Sequence, residues 1–130
     1  MKKSTTVAAV LLAALWSLMM TAAPAQAQGG TYGGIAVAMS NHHFGFDTGG
    51  SSHGTAQEMA VSACLTFGGN SDCHPVLTWR NGCGALAISP THWSYGSGAS
   101  VRDASNRARA NNPGPNPYIR HWACTEGYSL

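Results

Sequence analysis

Cys64, Cys73, Cys83 and Cys124 are the four cysteines of this 130-residue chain, and six histidines accompany them. Thiolates and imidazoles hold zinc when they converge at short, regular spacings. Here His42 and His43 are adjacent, His92 occupies the matching turn of the other hairpin, His74 precedes Pro75, and His121 sits inside the last expected strand; no H-x-x-x-H or H-E-x-x-H pair occurs. No metal or cofactor is expected, and His42, His43 and His92 are the candidates if any weak metal contact exists. Nucleophilic catalysis needs a serine or histidine oriented by a partner. No G-x-S-x-G segment is present, and Gly49-Gly50-Ser51-Ser52-His53 and Gly96-Ser97-Gly98 read as turns and helix caps. The carboxylates are Asp47, Glu58, Asp72, Asp103 and Glu126, and capping roles are open to Glu58 and Asp103. Paired-carboxylate hydrolysis is thus weakly supplied, and the glycine-rich stretches lack the Lys-Ser/Thr ending of a phosphate loop. No catalytic residue is assigned. A small hydrolase using Ser51, Ser52 and His53 or the hairpin histidines stands as the alternative to a binding module.

The cysteines are better explained by compartment. Lys2 and Lys3 precede an apolar run from Val7 to Met20, followed by Ala25-Gln26-Ala27, the pattern of a cleaved export signal over residues 1–27. The run is short for a membrane span of about 20 apolar residues and no cysteine follows it for lipid attachment, so no stable membrane anchor is expected after signal removal. The expected mature chain, 28–130, is secreted or periplasmic, where thiols oxidise to disulfides. Both lysines leave with the signal, so Arg80, Arg102, Arg107, Arg109 and Arg120 face five acids. A formally neutral chain gives no electrostatic case for a nucleic-acid partner. At 44% hydrophobic and 9% charged, the chain is too apolar for disorder, and its length suits one domain.

An internal repeat organises the mature region. Ile35-Ala-Val-Ala38 matches Leu86-Ala-Ile-Ser89, and the same offset sets Phe44-Gly45 against Tyr95-Gly96. Shorter offsets match Ser52, Ala56 and Ala60 to Ser100, Ala104 and Ala108, and Trp79 to Trp122, in the same order along the chain. Repeat one covers about 32–79 and repeat two about 83–124. In the first, Ile35, Val37 and Met39 alternate with alanines as in a half-buried strand, and Asn41-His42-His43 is a hairpin turn leading to Phe44 and Phe46. Ala56, Met59, Ala60, Ala63, Cys64 and Phe67 then fall on one helical face, with Ser52 as N-cap (Thr55 and Glu58 as an alternative box) and Gly68-Gly69 as the stop. Val76–Trp79 forms a closing strand. The second copy repeats this with Leu86 and Ile88, a turn near Thr91-His92, Trp93 and Tyr95, a helix capped by Ser100 and Asp103, and a strand from Tyr118 to Trp122. The fold class is therefore α+β, two pseudo-repeated ββαβ units in one domain, mainly antiparallel sheet with two helices.

The repeat also selects among the three pairings that four cysteines allow. Cys64 aligns with Asn112 and Cys73 with Asn116, and this joint absence from the second copy fits a Cys64–Cys73 bridge. Cys83 then joins Cys124. Chain-entropy arguments assign these loops roughly 2.7 and 3.9 kcal/mol. Among the aromatics, Trp79 and Trp122 are expected in the core. Trp93 and Tyr95, flanked by serine and glycine near a turn, are expected to be partly exposed, and with His42, His43 and His92 they form the candidate protein interface.

Tyr32-Gly-Gly-Ile-Ala, the Ala-rich helix ending at Cys64, Cys73 before Val76-Leu-Thr-Trp79, the segment Arg80-Asn-Gly-Cys-Gly-Ala-Leu-Ala87 and the closing Trp122-Ala-Cys124 resemble the bacterial domain of unknown function 4189 family. The resemblance covers nearly the whole mature chain, although the second helix is short where members often continue. It implies a small secreted or periplasmic module with no assigned catalytic residues. Some members occur beside antibacterial effectors and resemble protective binding proteins. The expectation is an exported, disulfide-stabilised binding module, an inhibitor or protective partner of another envelope or secreted protein.

Overall fold

The computed structural model describes residues 31–129, so the expected signal, 1–27, lies outside the described residues. Eight elements follow in order: β1 (Tyr32–Ala38), β2 (His43–Gly50), α1 (His53–Thr66), β3 (His74–Arg80), β4 (Cys83–Ile88), β5 (Trp93–Gly98), α2 (Val101–Ala110) and β6 (Tyr118–Cys124). They form two antiparallel three-stranded sheets, ordered β2-β1-β3 and β5-β4-β6. Each ββαβ unit thus places its first strand at the centre. The duplication extends to irregularities: the β1–β3 ladder shifts register between Ile35 and Ala36, and the β4–β6 ladder shifts at the matching Leu86 and Ala87.

Glycine and alanine set the layers. Gly34, Ala36 and Ala38 of β1 face α1, which presents Ala56, Ala60 and Cys64; Ala85 and Ala87 of β4 meet Ala104 and Ala108 of α2 in the same way. Any side chain at Gly45 or Gly96 would overlap helix backbone, so these positions permit the close helix-to-sheet approach. On the other faces, Ile35, Val37, Trp79, Phe44, Phe46, Trp93 and Tyr95 form a cluster between the sheets. The order is helix, sheet, sheet, helix. β1 is consequently buried from Gly33 to Ala38, not half-buried as its alternation suggests, because one face meets a helix and the other a second sheet.

Helix ends follow local chemistry. Ser52 Oγ accepts from the Thr55 amide at 3.1 Å and Ser100 Oγ from the Asp103 amide at 3.1 Å. Gly68, at φ 99°, ends α1 with amide bonds from Gly69 to Cys64 O (2.8 Å) and from Gly68 to Leu65 O (3.3 Å), a Schellman arrangement. The expected apolar face of α1 is narrower than its spacing suggests: Met59 and Phe67 are exposed, because only small side chains fit under a helix that lies against glycine backbone.

Both disulfides form as expected, Cys64–Cys73 and Cys83–Cys124, leaving no free cysteine among the described residues. The ladders correct three details of the repeat. Gly33 pairs with Trp79 and the equivalent Gly84 with Ala123, so Trp79 answers to Ala123, not Trp122, and Cys73 answers to Pro117, not Asn116. Trp122 is accordingly 47% exposed, against the core position expected for it, whereas Trp79 is 4% exposed. Likewise Ile35 pairs with Phe46 and Leu86 with Tyr95, which equates Phe44 and Phe46 with Trp93 and Tyr95.

Candidate functional site

The β1–β2 and β4–β5 hairpin turns come to one end of the molecule, where the His42 ring lies 5.7 Å from that of Trp93. His42 adopts φ 60°, a left-handed turn conformation. Side chains hold this turn: Asn41 Nδ2 donates to Gly68 O at 2.7 Å, while Asp72 accepts from Ser40 N (2.9 Å) and Ser40 Oγ (2.7 Å). The Ser40 bonds hold the Asp72 carboxyl below its ordinary range. His43 is half-buried, its Nδ1 3.0 Å from Asn41 O. In the second turn, Ser89 N donates to His92 O at 2.9 Å and the buried Asn112 donates to the same oxygen at 3.0 Å. His92 is exposed, with Nδ1 2.8 Å from Thr91 Oγ1.

Of the residues expected at an interface, the structure brings His42, His43, His92 and Trp93 to this end. Tyr95 turns into the inter-sheet cluster, half-buried, and burial raises its hydroxyl pKa. Sequence reasoning missed their neighbours. Met39 (43% exposed) follows β1, Phe67 (69%) sits beside the Gly68 carbonyl that Asn41 grips, and Tyr118 (55%) pairs with Ile88 at the same end. Phe67 lies one residue beyond a helix and Tyr118 opens a strand, so periodicity assigns neither an exposed role.

Along the side of the sandwich, β2 and β6 lie one above the other. His121 packs on Phe46 (4.7 Å between centroids) and Phe44 (5.8 Å), and the Arg120 guanidinium lies 5.4 Å from the Phe44 centroid. Burial, aided by the Arg120 charge, lowers the His121 pKa below its usual 6.5. A cleft of about 460 Å³ runs past these rings to Phe67. A second cleft, about 630 Å³, lies between α2 and β6 against Arg109 and Trp122 and shares Arg120 and His121 with the first. Neither is lined by a carboxylate.

Of the residues considered for hydrolysis, Ser51, Ser52 and His53 are placed elsewhere. Ser52 caps α1, Ser51 Oγ lies 3.4 Å from Thr55 Oγ1, and His53 Nδ1 is 2.7 Å from Thr78 Oγ1 with its ring edge-on to Tyr32. Among the described residues, no carboxylate orients His53. Among the described residues, no three His, Cys, Asp or Glu side chains group as a metal site, and no helix is long and apolar enough to cross a membrane.

The model of the family described as domain of unknown function (DUF4189) matches residues 32–124, the span bounded by the first and last strands. The chain belongs to the DUF4189 family. The NMR structure of Rv1813c from Mycobacterium tuberculosis is similar at a TM-score of 0.52 and 22% identity, covering 72% of this chain and 75% of that one. This likeness shows the fold. No curated protein matches the chain. The chain is thus a disulfide-stabilised DUF4189 domain, and its two disulfides suit an oxidising compartment outside the cytoplasm.

Proposed function

We propose that the chain is an exported binding module, acting as an inhibitor or protective partner of another envelope or secreted protein. The observation that carries this reading is the hairpin-tip end, where Met39, Phe67 and Tyr118 are exposed beside His42, His92 and Trp93. Exposed aromatics and methionine are the residues that interface centres favour, and crosslinked elements present them with little ordering cost on binding. The test is capture of envelope proteins by the immobilised chain, followed by direct binding to the purified partner. The unsubstituted chain and a Glu58→Lys control on another face are expected to retain the same partner, and Phe67→Asp combined with Tyr118→Asp to lose it. Retention by the double variant, or turnover of a hydrolase substrate abolished by Ser52→Ala or His53→Ala, would overturn the reading.

A further inference from the structure

Four strand edges are open to neighbours in this fold, and three are blunted. β3 carries Pro75 and a register shift, and β6 carries the matching shift beside Arg120. β5 is capped by its own helix: Arg107 donates to Ser97 O at 2.8 Å and Asn111 Nδ2 to Tyr95 O at 2.8 Å, occupying outward carbonyls. Counting from the N-caps Ser52 and Ser100, the residues of α1 equivalent to Arg107 and Asn111 are Met59 and Ala63, which donate no side-chain hydrogen bond. Among the described residues, no side chain bonds the main chain of β2 from Phe44 to Phe46. Its partner in the sheet is β1 alone, in unbroken register from Gly34 with Asp47 to Ala38 with His43. One edge is therefore left open, flanked by exposed Met59 and Phe67.

We infer that this edge pairs with the same edge of a second copy of the chain, as an antiparallel two-fold seam centred on Gly45. The strand His43-Phe-Gly-Phe-Asp47 is its own chemical complement when reversed. Gly45 meets Gly45 of the second copy, Phe44 meets Phe46, and His43 meets Asp47, setting a ring against a ring and an imidazole donor against a carboxylate acceptor in directly facing positions. The hydrogen-bonding phase agrees. Phe46 is the ladder equivalent of Tyr95, whose carbonyl points outward to Asn111, so Phe44 and Phe46 present their amides and carbonyls to the open side and exchange both bonds across the seam. The seam would cover the cleft at Phe67. The His92, Trp93 and Tyr118 part of the hairpin-tip end, on the other sheet, would stay outside it.

The experiment is sedimentation velocity of the disulfide-intact chain over a concentration series, with amide hydrogen exchange at each concentration. A monomer–dimer equilibrium is expected, with Phe44 and Phe46 amides gaining protection as the dimer fills. Asp47→Lys removes the acceptor carboxylate from two symmetry-related pairs and should weaken association about tenfold. Combining His43→Asp with Asp47→His restores the complement and should restore the dimer, although it too removes the 3.2 Å Asp47 contact to the Gly49 amide. A chain monomeric up to millimolar concentration overturns the inference. So does a dimer indifferent to Asp47→Lys whose Phe44 and Phe46 amides exchange freely. Loss of partner capture by Tyr118→Asp alone, at a residue outside the seam, is a separate readout, so this seam and the proposed function can fail independently.

Discussion

Trp79 is the point at which the two sheets can be tested against each other. Its indole lies over Gly33 of its own sheet and over the equivalent Gly84 of the other, and a Cβ at either glycine would overlap the ring. Its Nε1 donates to Gly82 O at 3.0 Å. We expect Gly84→Ala to destabilise the folded chain by about 1–3 kcal/mol through overpacking, despite the usual gain of about 0.5–1 kcal/mol when alanine replaces glycine in regular structure. Trp79→Leu should cost about 3 kcal/mol from lost ring volume. It leaves no orphaned acceptor, since Gly82 O also accepts from Thr125 N at 2.8 Å and Thr125 Oγ1 at 3.1 Å. In the Trp79→Leu background the overlap at Gly84 is gone, so Gly84→Ala should become neutral to slightly stabilising. The coupling is then at least about 1–3 kcal/mol, the size found for directly touching residues. Equilibrium urea unfolding of the four proteins with both disulfides intact measures it. If Gly84→Ala costs the same in both backgrounds, Trp79 is not what fills the space between the sheets and the layered packing argued above is wrong.

Three further outcomes follow from the same geometry. Replacing Cys83 and Cys124 together by alanine should cost roughly 3.9 kcal/mol and replacing Cys64 and Cys73 roughly 2.7 kcal/mol, in that order by denaturant midpoint, because the first pair closes the longer loop. The pKa of His121 is lower folded than unfolded, so its neutral form favours the folded state. Its stabilising contribution is present above pH 6.5 and lost as pH falls through the folded value, and His121→Phe, which keeps a ring on Phe44 and Phe46, should reduce that acid-side loss in a pH series of unfolding midpoints. Ser40→Ala removes the Ser40 Oγ bond, the larger of the causes that depress Asp72, and keeps the Ser40 amide bond, so NMR titration of that carboxyl should find its pKa raised part of the way toward 3.8.

The strands, both helices and both crosslinks were legible because each has a local or repeated signal: alternation in β1, Ser52 and Ser100 as caps, Gly68 as a stop, and cysteines present in one copy and missing from the other. The misplacement of Trp122 has one physical cause. Trp79 stands opposite Gly33, whereas Trp122 stands opposite Ala85, one position beyond the equivalent Gly84, and a one-residue slip turns a side chain to the opposite face. Nothing in the spacing of Trp79 and Trp122 marks such a slip. The Phe44–Phe46–His121–Arg120 cluster was illegible for another reason: its members come from β2 and β6, in different sheets, and their proximity depends on how the sheets stack.

The ladder equivalences locate where the two copies have diverged. Cys83 and Cys124 face each other across β4 and β6 as Tyr32 and Arg80 do across β1 and β3, so the second copy has a covalent bond where the first has a guanidinium 5.5 Å from a tyrosine ring centroid. At the helix ends the order reverses: Cys64 is bridged to Cys73, while its counterpart Asn112 is buried and hydrogen-bonded to His92 O and Gly114 N. Each unit therefore keeps one covalent and one non-covalent tie at matching positions, and the scaffold needs both copies to hold the same shape. The flank of the helix obeys no such balance. Arg107 and Asn111 seal the edge of β5, whereas Met59 and Ala63 leave that of β2 open, and no other residue of the first copy takes over the sealing. Stability alone accounts for the exchanged ties. It does not account for an open edge beside exposed methionine and phenylalanine, a feature that invites non-specific strand pairing unless a defined partner covers it.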